Sequence, residues 1–425
     1  MEELMGSYRE EYGLLHDYAA VIKQTNPGTT CFAMSCSTDN LEGKPLFSMF
    51  YVCFEACKKG WMAGCRKIIG INGCFLKGIC KGQLLCAAGR DGNNQMFPIA
   101  WGVVELETKT TWSWFLKSLI NDLELGDGEG YTFISVMQKG LESAMEQLLP
   151  YAEHRRCDRK LAFWNCAKST YGGQLKQRLE VLDGLGKDIV QAALSYGIRR
   201  WCKVYFDTSI KCDVVDNNLA ETFNGCILEA ICKSIITMLE EIRVLVMNRI
   251  WTKRQSADSW IMGIAPRAME KLKKNKTMSH DWEMDWNGDF GYEVNRVTDK
   301  DDRHTVDLEL STCTCREWDL TGIPCCHAVC AIYSISDNNN KTHRSDKPEE
   351  YVHHYYSKET FLKSYAYTMM HVPGKLHWVS WRGWNLHSLR KSLGGLKDVE
   401  GKTRMRQKNW QARAAGQEDD MWSLS

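Results

Sequence analysis

Three cysteines and a histidine, Cys313, Cys315, Cys325 and His327, stand within fifteen residues of this 425-residue chain, spaced Cys-x-Cys, nine residues, Cys-x-His. Three thiolates and one imidazole form a closed tetrahedral shell, the ligand set of structural rather than catalytic zinc. The spacing therefore predicts one bound Zn²⁺. Side chains two apart in a strand share a face, so an extended Cys313–Cys315 would aim both thiols at one ion. Gly322 and Pro324 suit a turn that brings the second pair back to the first. Cys326 and Cys330 lie close by, but the pattern is complete without them. The competing reading, ordinary buried cysteines in a chain that has 19, is weakened by two ligand pairs at such short spacing.

The elements that must hold this cluster are read from hydrophobic periodicity. A helix is expected from Tyr8 to Ile22, then a loop, then a strand from Leu46 to Phe54. Apolar runs at Ile68–Ile71, Leu84–Gly89 and Phe97–Val104 predict three strands, the last two separated by the turn Arg90–Asn94. Trp112, Phe115, Leu116, Leu119 and Leu123 recur at helical spacing. A strand at Tyr131–Ile134 and a helix through Leu141, Ala144, Met145 and Leu148 follow, the helix stopped by Pro150. This order predicts an α/β domain with a mixed sheet. Residues 166–254 read as mostly helical, with Ile235, Met238, Leu239, Ile242 and Leu245 as a core stripe. Lys271–Lys276 reads as a solvated linker, and Gly291–Leu310 as a hairpin leading into the metal cluster.

Length allows two or three domains. Hydrophobic content of 44% with 25% charged residues describes a globular chain. No apolar run is long enough to span a membrane, and the start lacks the basic, then apolar, pattern of a secretory signal. A reducing intracellular compartment is expected, where thiols stay free or bind metal. The net charge of +1 does not by itself advertise nucleic-acid binding. Between Arg382 and Arg413, however, nine Lys/Arg face only Asp398 and Glu400, with Trp384 and Trp410 interleaved. That tail reads equally as a phosphate-tracking segment or a solvated end.

Three longer phrases carry a resemblance: Gly64–Gly78 (GCRKIIGINGCFLKG), Gly89–Trp101 (GRDGNNQMFPIAW) and Cys315–His327 (CREWDLTGIPCCH). With them the chain resembles, from about Gly6 to Tyr367, the Mutator-like element (MULE, MuDR-type) transposases of plants, whose core is followed by a SWIM-type zinc finger. The resemblance implies a ribonuclease-H-like mixed sheet with a helical insertion at about 166–215 inside a domain at 61–254. It also implies a lead-in at 1–60, a linker at 255–290, the finger at 291–335, and an extension with a basic tail at 336–425. A nuclear protein acting on DNA is implied as well.

Transposases of this kind use three carboxylates to hold two Mg²⁺ ions. The resemblance places those carboxylates at Asn72, Val136 and Glu221, the last in Asn217–Asn224 (NNLAETFN). Only Glu221 is acidic. A further family histidine, after the fifth core strand, is Lys160 here, and a charged lysine cannot ligate metal. Asp91 belongs to the ordinary wording of its turn and is not expected to substitute. No functional Mg²⁺ pair is therefore expected, and no enzyme activity. The expected function is that of a zinc-binding transposase remnant with DNA or a protein as partner and no membrane. A decayed element copy is the alternative, and an active DDE-type transposase the least favoured reading. Oligomeric state is not readable from the sequence.

Overall fold

The computed structural model describes residues 10–36, 46–136, 138–156, 161–184, 190–191, 194–195, 197–289, 291–337 and 345–378. Its first part runs α1 (Leu15–Thr25), β1 (Thr30–Cys36), β2 (Leu46–Cys53), α2 (Glu55–Gly64), β3 (Arg66–Phe75), β4 (Gln83–Arg90) and β5 (Met96–Val104). Then come α3 (Lys109–Leu123), β6 (Thr132–Ser135), α4 (Lys139–Leu148) and β7 (Glu153–Arg156). A helical stretch follows: α5 (Leu161–Ala167), α6 (Gly172–Asp183), α7 (Asn218–Cys226), α8 (Ile235–Ser256) and α9 (Pro266–Met278). The rest is β8 (Trp282–Trp286), β9 (Gly291–Arg296), β10 (Asp299–Asp307), β11 (Thr312–Cys313), α10 (Glu317–Thr321), α11 (Cys326–Asp337) and α12 (Lys358–Ser364).

Two sheets result. The larger has seven strands in the order β1-β2-β5-β4-β3-β6-β7. β3, β4 and β5 pair antiparallel, whereas β6 joins β3, and β7 joins β6, in parallel. β4 and β5 are buried almost throughout, as their unbroken apolar runs require for strands covered on both faces. Trp112, Phe115, Leu116, Leu119 and Leu123 of α3 are all buried in the main core, and a Thr108–Thr111 capping box starts that helix. The smaller sheet, β11-β10-β9-β8, packs with α11 around a second core that contains Cys313, Cys315 and Cys325. Among the described residues no helix is long and apolar enough to cross a membrane.

Several expectations change. The loop expected after the first helix holds a strand, β1, antiparallel to β2. The strand expected at 68–71 extends to Phe75, because β4 continues to pair with it after the parallel partner β6 has ended. The stretch 201–217, expected as helix, contains only one short 3₁₀ turn at Lys203–Tyr205. Lys271–Lys276 is not a solvated linker: it lies inside α9, where Ala268, Leu272 and Asn275 face inward and Asn275 Nδ2 donates to Pro324 O at 2.8 Å. Lys273 and Lys274 are exposed, while Lys271 and Lys276 are half-buried and pair with Glu317 and Glu349 at 3.1 and 2.7 Å. Residues 345–378, expected within an extension, fold back on the main core. Tyr365 Oη donates to Asp91 Oδ2 at 2.7 Å, and Met370 N donates to Asn26 Oδ1 at 2.8 Å. The basic tail with Trp384 and Trp410 lies outside the described residues.

Candidate metal centre

Cys313 ends β11, and the chain turns at once. Arg316, in the left-handed region at φ 58°, donates its amide to Cys313 O at 2.7 Å. Cys315 is thus held by a turn rather than by the extended strand that the Cys-x-Cys spacing suggested. The turn still brings the two sulfurs together, and it exposes the amide of Glu317 to Cys315 Sγ at 3.5 Å. α10 then carries the chain to Gly322, whose φ of 71° ends that helix. A Cβ at Gly322 would lie 2.7 Å from His353 Cβ, so the return loop tolerates no larger residue without movement. Cys325 precedes α11 and accepts from Ala328 N at 3.4 Å, while His327 occupies the helix's first turn. The Ala328 amide and the helix N-terminus offset only part of the burial that opposes negative charge on that sulfur.

The four predicted ligand residues are all buried, and one ligand atom from each lies within 4.8 Å of the others. Zinc–sulfur bonds of about 2.3 Å and a zinc–nitrogen bond of about 2.0 Å at tetrahedral angles would put ligand atoms roughly 3.5–3.8 Å apart. His327 Nδ1 lies 3.6 Å from Cys313 Sγ and 3.7 Å from Cys325 Sγ, so the donor set fits this ion. Hydrogen bonds from Cys313 and Cys325 hold the Cys315 thiol far below its ordinary range, while burial pushes Cys325 well above it. Ligation of a divalent cation would release the thiol protons. Cys326 and Cys330 take no part; Cys330 Sγ instead faces Trp282 O at 3.4 Å.

Residues around the cluster went unnoticed in the sequence. The His304 ring lies over His327 with centroids 4.1 Å apart, and the Trp282 ring meets it edge-on, also at 4.1 Å. They shield the imidazole, whose Nε2 is buried without a hydrogen-bond partner among the described residues. Asp319 Oδ2 accepts from Cys313 N at 3.0 Å. Arg316 reaches out of the ligand loop to the carbonyls of Val204 and Phe206, the latter at 3.1 Å, and Leu320 joins the apolar cluster of Trp201, Cys202 and Phe206. An acid and an arginine inside a ligand loop are the only signals that could have pointed to these roles.

Two of the three positions matched to the carboxylate set lie side by side. Ile71 of β3 pairs with Ser135 of β6, so Asn72 and Val136 follow directly after partners on adjacent parallel strands. Asn217 Nδ2 donates to Ile71 O at 2.9 Å and fixes the start of α7 beside them. Glu221 lies one helical turn further along α7, on the same side as Asn217. Asn72 Oδ1 accepts from Gly73 N at 2.9 Å. Lys160 lies outside the described residues. Asp91 is wholly buried and caps its own turn, accepting from Asn93 N and Gln95 N at 2.9 and 2.7 Å, away from Asn72.

Comparison with known proteins agrees with this layout. The MULE transposase domain model matches residues 68–162, which span β3 to the start of α5. The SWIM zinc finger model matches residues 295–336 and contains all four clustered ligand residues. No curated protein matches the chain. The chain thus carries a MULE transposase domain followed by a SWIM zinc finger whose Cys₃His cluster has the geometry of a metal site.

Proposed function

We propose that this protein is a transposase-derived, zinc-stabilised protein that binds DNA or a protein partner in the nucleus and does not cut DNA. The observation that carries the reading is that only Glu221 of the three matched positions is a carboxylate, while Asn72 and Val136, which follow paired residues of adjacent parallel strands, are not. Two divalent ions about 4 Å apart need several anionic oxygens to hold them against water. Val136 offers no oxygen, and the Asn72 carbonyl is already engaged by the amide of Gly73. The residues present do not fit a Mg²⁺ pair. A ribonuclease-H-like ancestry is supported by the strand order β5-β4-β3-β6-β7, antiparallel for its first three strands and parallel for the last two. Zn²⁺ in the finger is supported by the ligand spacing described above.

Restoring the acids tests the reading. Asn72→Asp with Val136→Asp should yield Mg²⁺-dependent nicking of supercoiled DNA where the unaltered chain gives none. Glu221→Gln in that background should abolish it. Equal nicking by the unaltered and doubly substituted chains would count against the proposal.

A further inference from the structure

Cations crowd where the end of α8 and the start of α9 meet the turn between β4 and β5. Arg249 donates from Nε and Nη2 to Met96 O at 3.1 and 2.6 Å. Arg267 donates from Nη1 to Asn94 O at 3.2 Å, and its amide donates to Asn93 Oδ1 at 3.0 Å. Both guanidinium groups are thereby fixed on one turn. Lys253 follows Arg249 by a helical turn, so the two side chains are neighbours on α8. Burial, and then the charges of Arg249 and Arg267, hold the Lys253 ammonium below its usual range.

Little nearby offsets this charge. Asp91, the closest acid, is buried and spends its carboxylate on Asn93 N, Gln95 N and Tyr365 Oη. Asp258 and Glu270 are exposed on the adjoining segments and make no ion pair among the described residues. Arg267 also sits in the first turn of α9, where the helix dipole disfavours a cation and favours an anion. Lys274 is exposed seven residues further on, about 10 Å along the same face of the helix. Such a stripe is longer than one phosphate. Between α8 and α9 the loop presents Ile261, 98% exposed, with Met262 beside it.

We propose that Arg249, Lys253, Arg267 and Lys274, with Ile261 at their edge, form a docking surface for the phosphodiester backbone of a nucleic acid. Backbone phosphates answer the cations, and the bases beside them offer an apolar surface to Ile261. An acidic peptide would answer the charges alone. The proposal rests on the DNA-binding half of the function above.

The test is fluorescence anisotropy of zinc-loaded full-length protein with a short labelled duplex across a salt series. Lys253→Glu combined with Arg267→Gln keeps an amide donor toward Asn94 O, and zinc content and melting temperature report whether it folds. The double variant should bind about tenfold more weakly or worse, with a salt slope shallower by about 2. Lys300→Glu, on the small sheet, should bind like the unaltered chain. Should the double variant keep its affinity and slope while the unaltered chain binds, the surface is wrong and the DNA reading stands. Displacement of the duplex by millimolar inorganic phosphate at constant ionic strength would also overturn it, marking a single-phosphate site. If the unaltered, zinc-replete chain ignores duplex at low salt, the DNA reading and this surface fall together.

Discussion

Cys325→Ser should reduce zinc from about one ion per chain to near none and open residues 300–335 to protease. The substitution barely changes volume, so the effect arises from ligand chemistry rather than packing. Cys313, Cys315 and Cys325 are themselves walls of the second core, together with Val294, Val306, Trp318 and Ile332. Without the ion, that core must bury thiols and an imidazole nitrogen that protein partners do not fully satisfy. Structural zinc supplies on the order of 10 kcal/mol to small modules of this kind, more than the remaining apolar contacts of a short sheet and one helix are expected to replace. Cys326→Ser is the matched control. That residue is buried next to the ligands but outside the cluster, and its variant should keep its zinc. Zinc measured by elemental analysis, with proteolysis mapped by mass spectrometry, decides the matter. Full zinc occupancy in Cys325→Ser would show that the ligand set is wrong.

Gly64→Leu should strongly destabilise the main core. At Gly64, α2 crosses α12 so closely that a Cβ would lie 2.3 Å from Thr360 O and 2.6 Å from Ser364 N. Both are backbone atoms and cannot swing aside. One turn earlier, a Cβ at Gly60 would lie 2.3 Å from Ser364 O, so α12 cannot slide along to make room. Overpacking of this sort costs roughly 1–3 kcal/mol, and more when backbone must shift. The crossing also anchors the returning segment, because Tyr365, directly after α12, holds Asp91. A melting temperature lower by several degrees is expected, with new cleavage between 345 and 378. Zinc content should stay near one ion. A melting temperature within one degree of the unaltered chain would contradict the close crossing.

Much of the core was legible because its strands are continuous apolar runs: Leu84–Gly89 and Phe97–Val104 lie within β4 and β5. The clustering of Cys313, Cys315, Cys325 and His327 was legible from spacing alone. What stayed hidden depends on long-range pairing or on backbone conformations that composition does not encode. β1 has a short, weakly patterned sequence and becomes a strand only because β2 pairs with it. The turn after Cys313 relies on Arg316 in a left-handed conformation, which no glycine announces. Lysines concealed the inward face of α9, where Leu272 and Asn275 are buried. The returning segment 345–378 makes its contacts through scattered residues, such as Lys375 Nζ with Glu11 Oε1 at 2.8 Å, which no local period reveals.

The central claim is that a transposase-derived scaffold persists here with too few carboxylates to hold a metal pair. Its most direct test is nicking of supercoiled DNA by the unaltered, zinc-loaded chain with Mg²⁺ or Mn²⁺, compared with Glu221→Gln. No nicking by the unaltered chain beyond that of Glu221→Gln is the predicted result. Metal-dependent nicking that Glu221→Gln abolishes would contradict the claim.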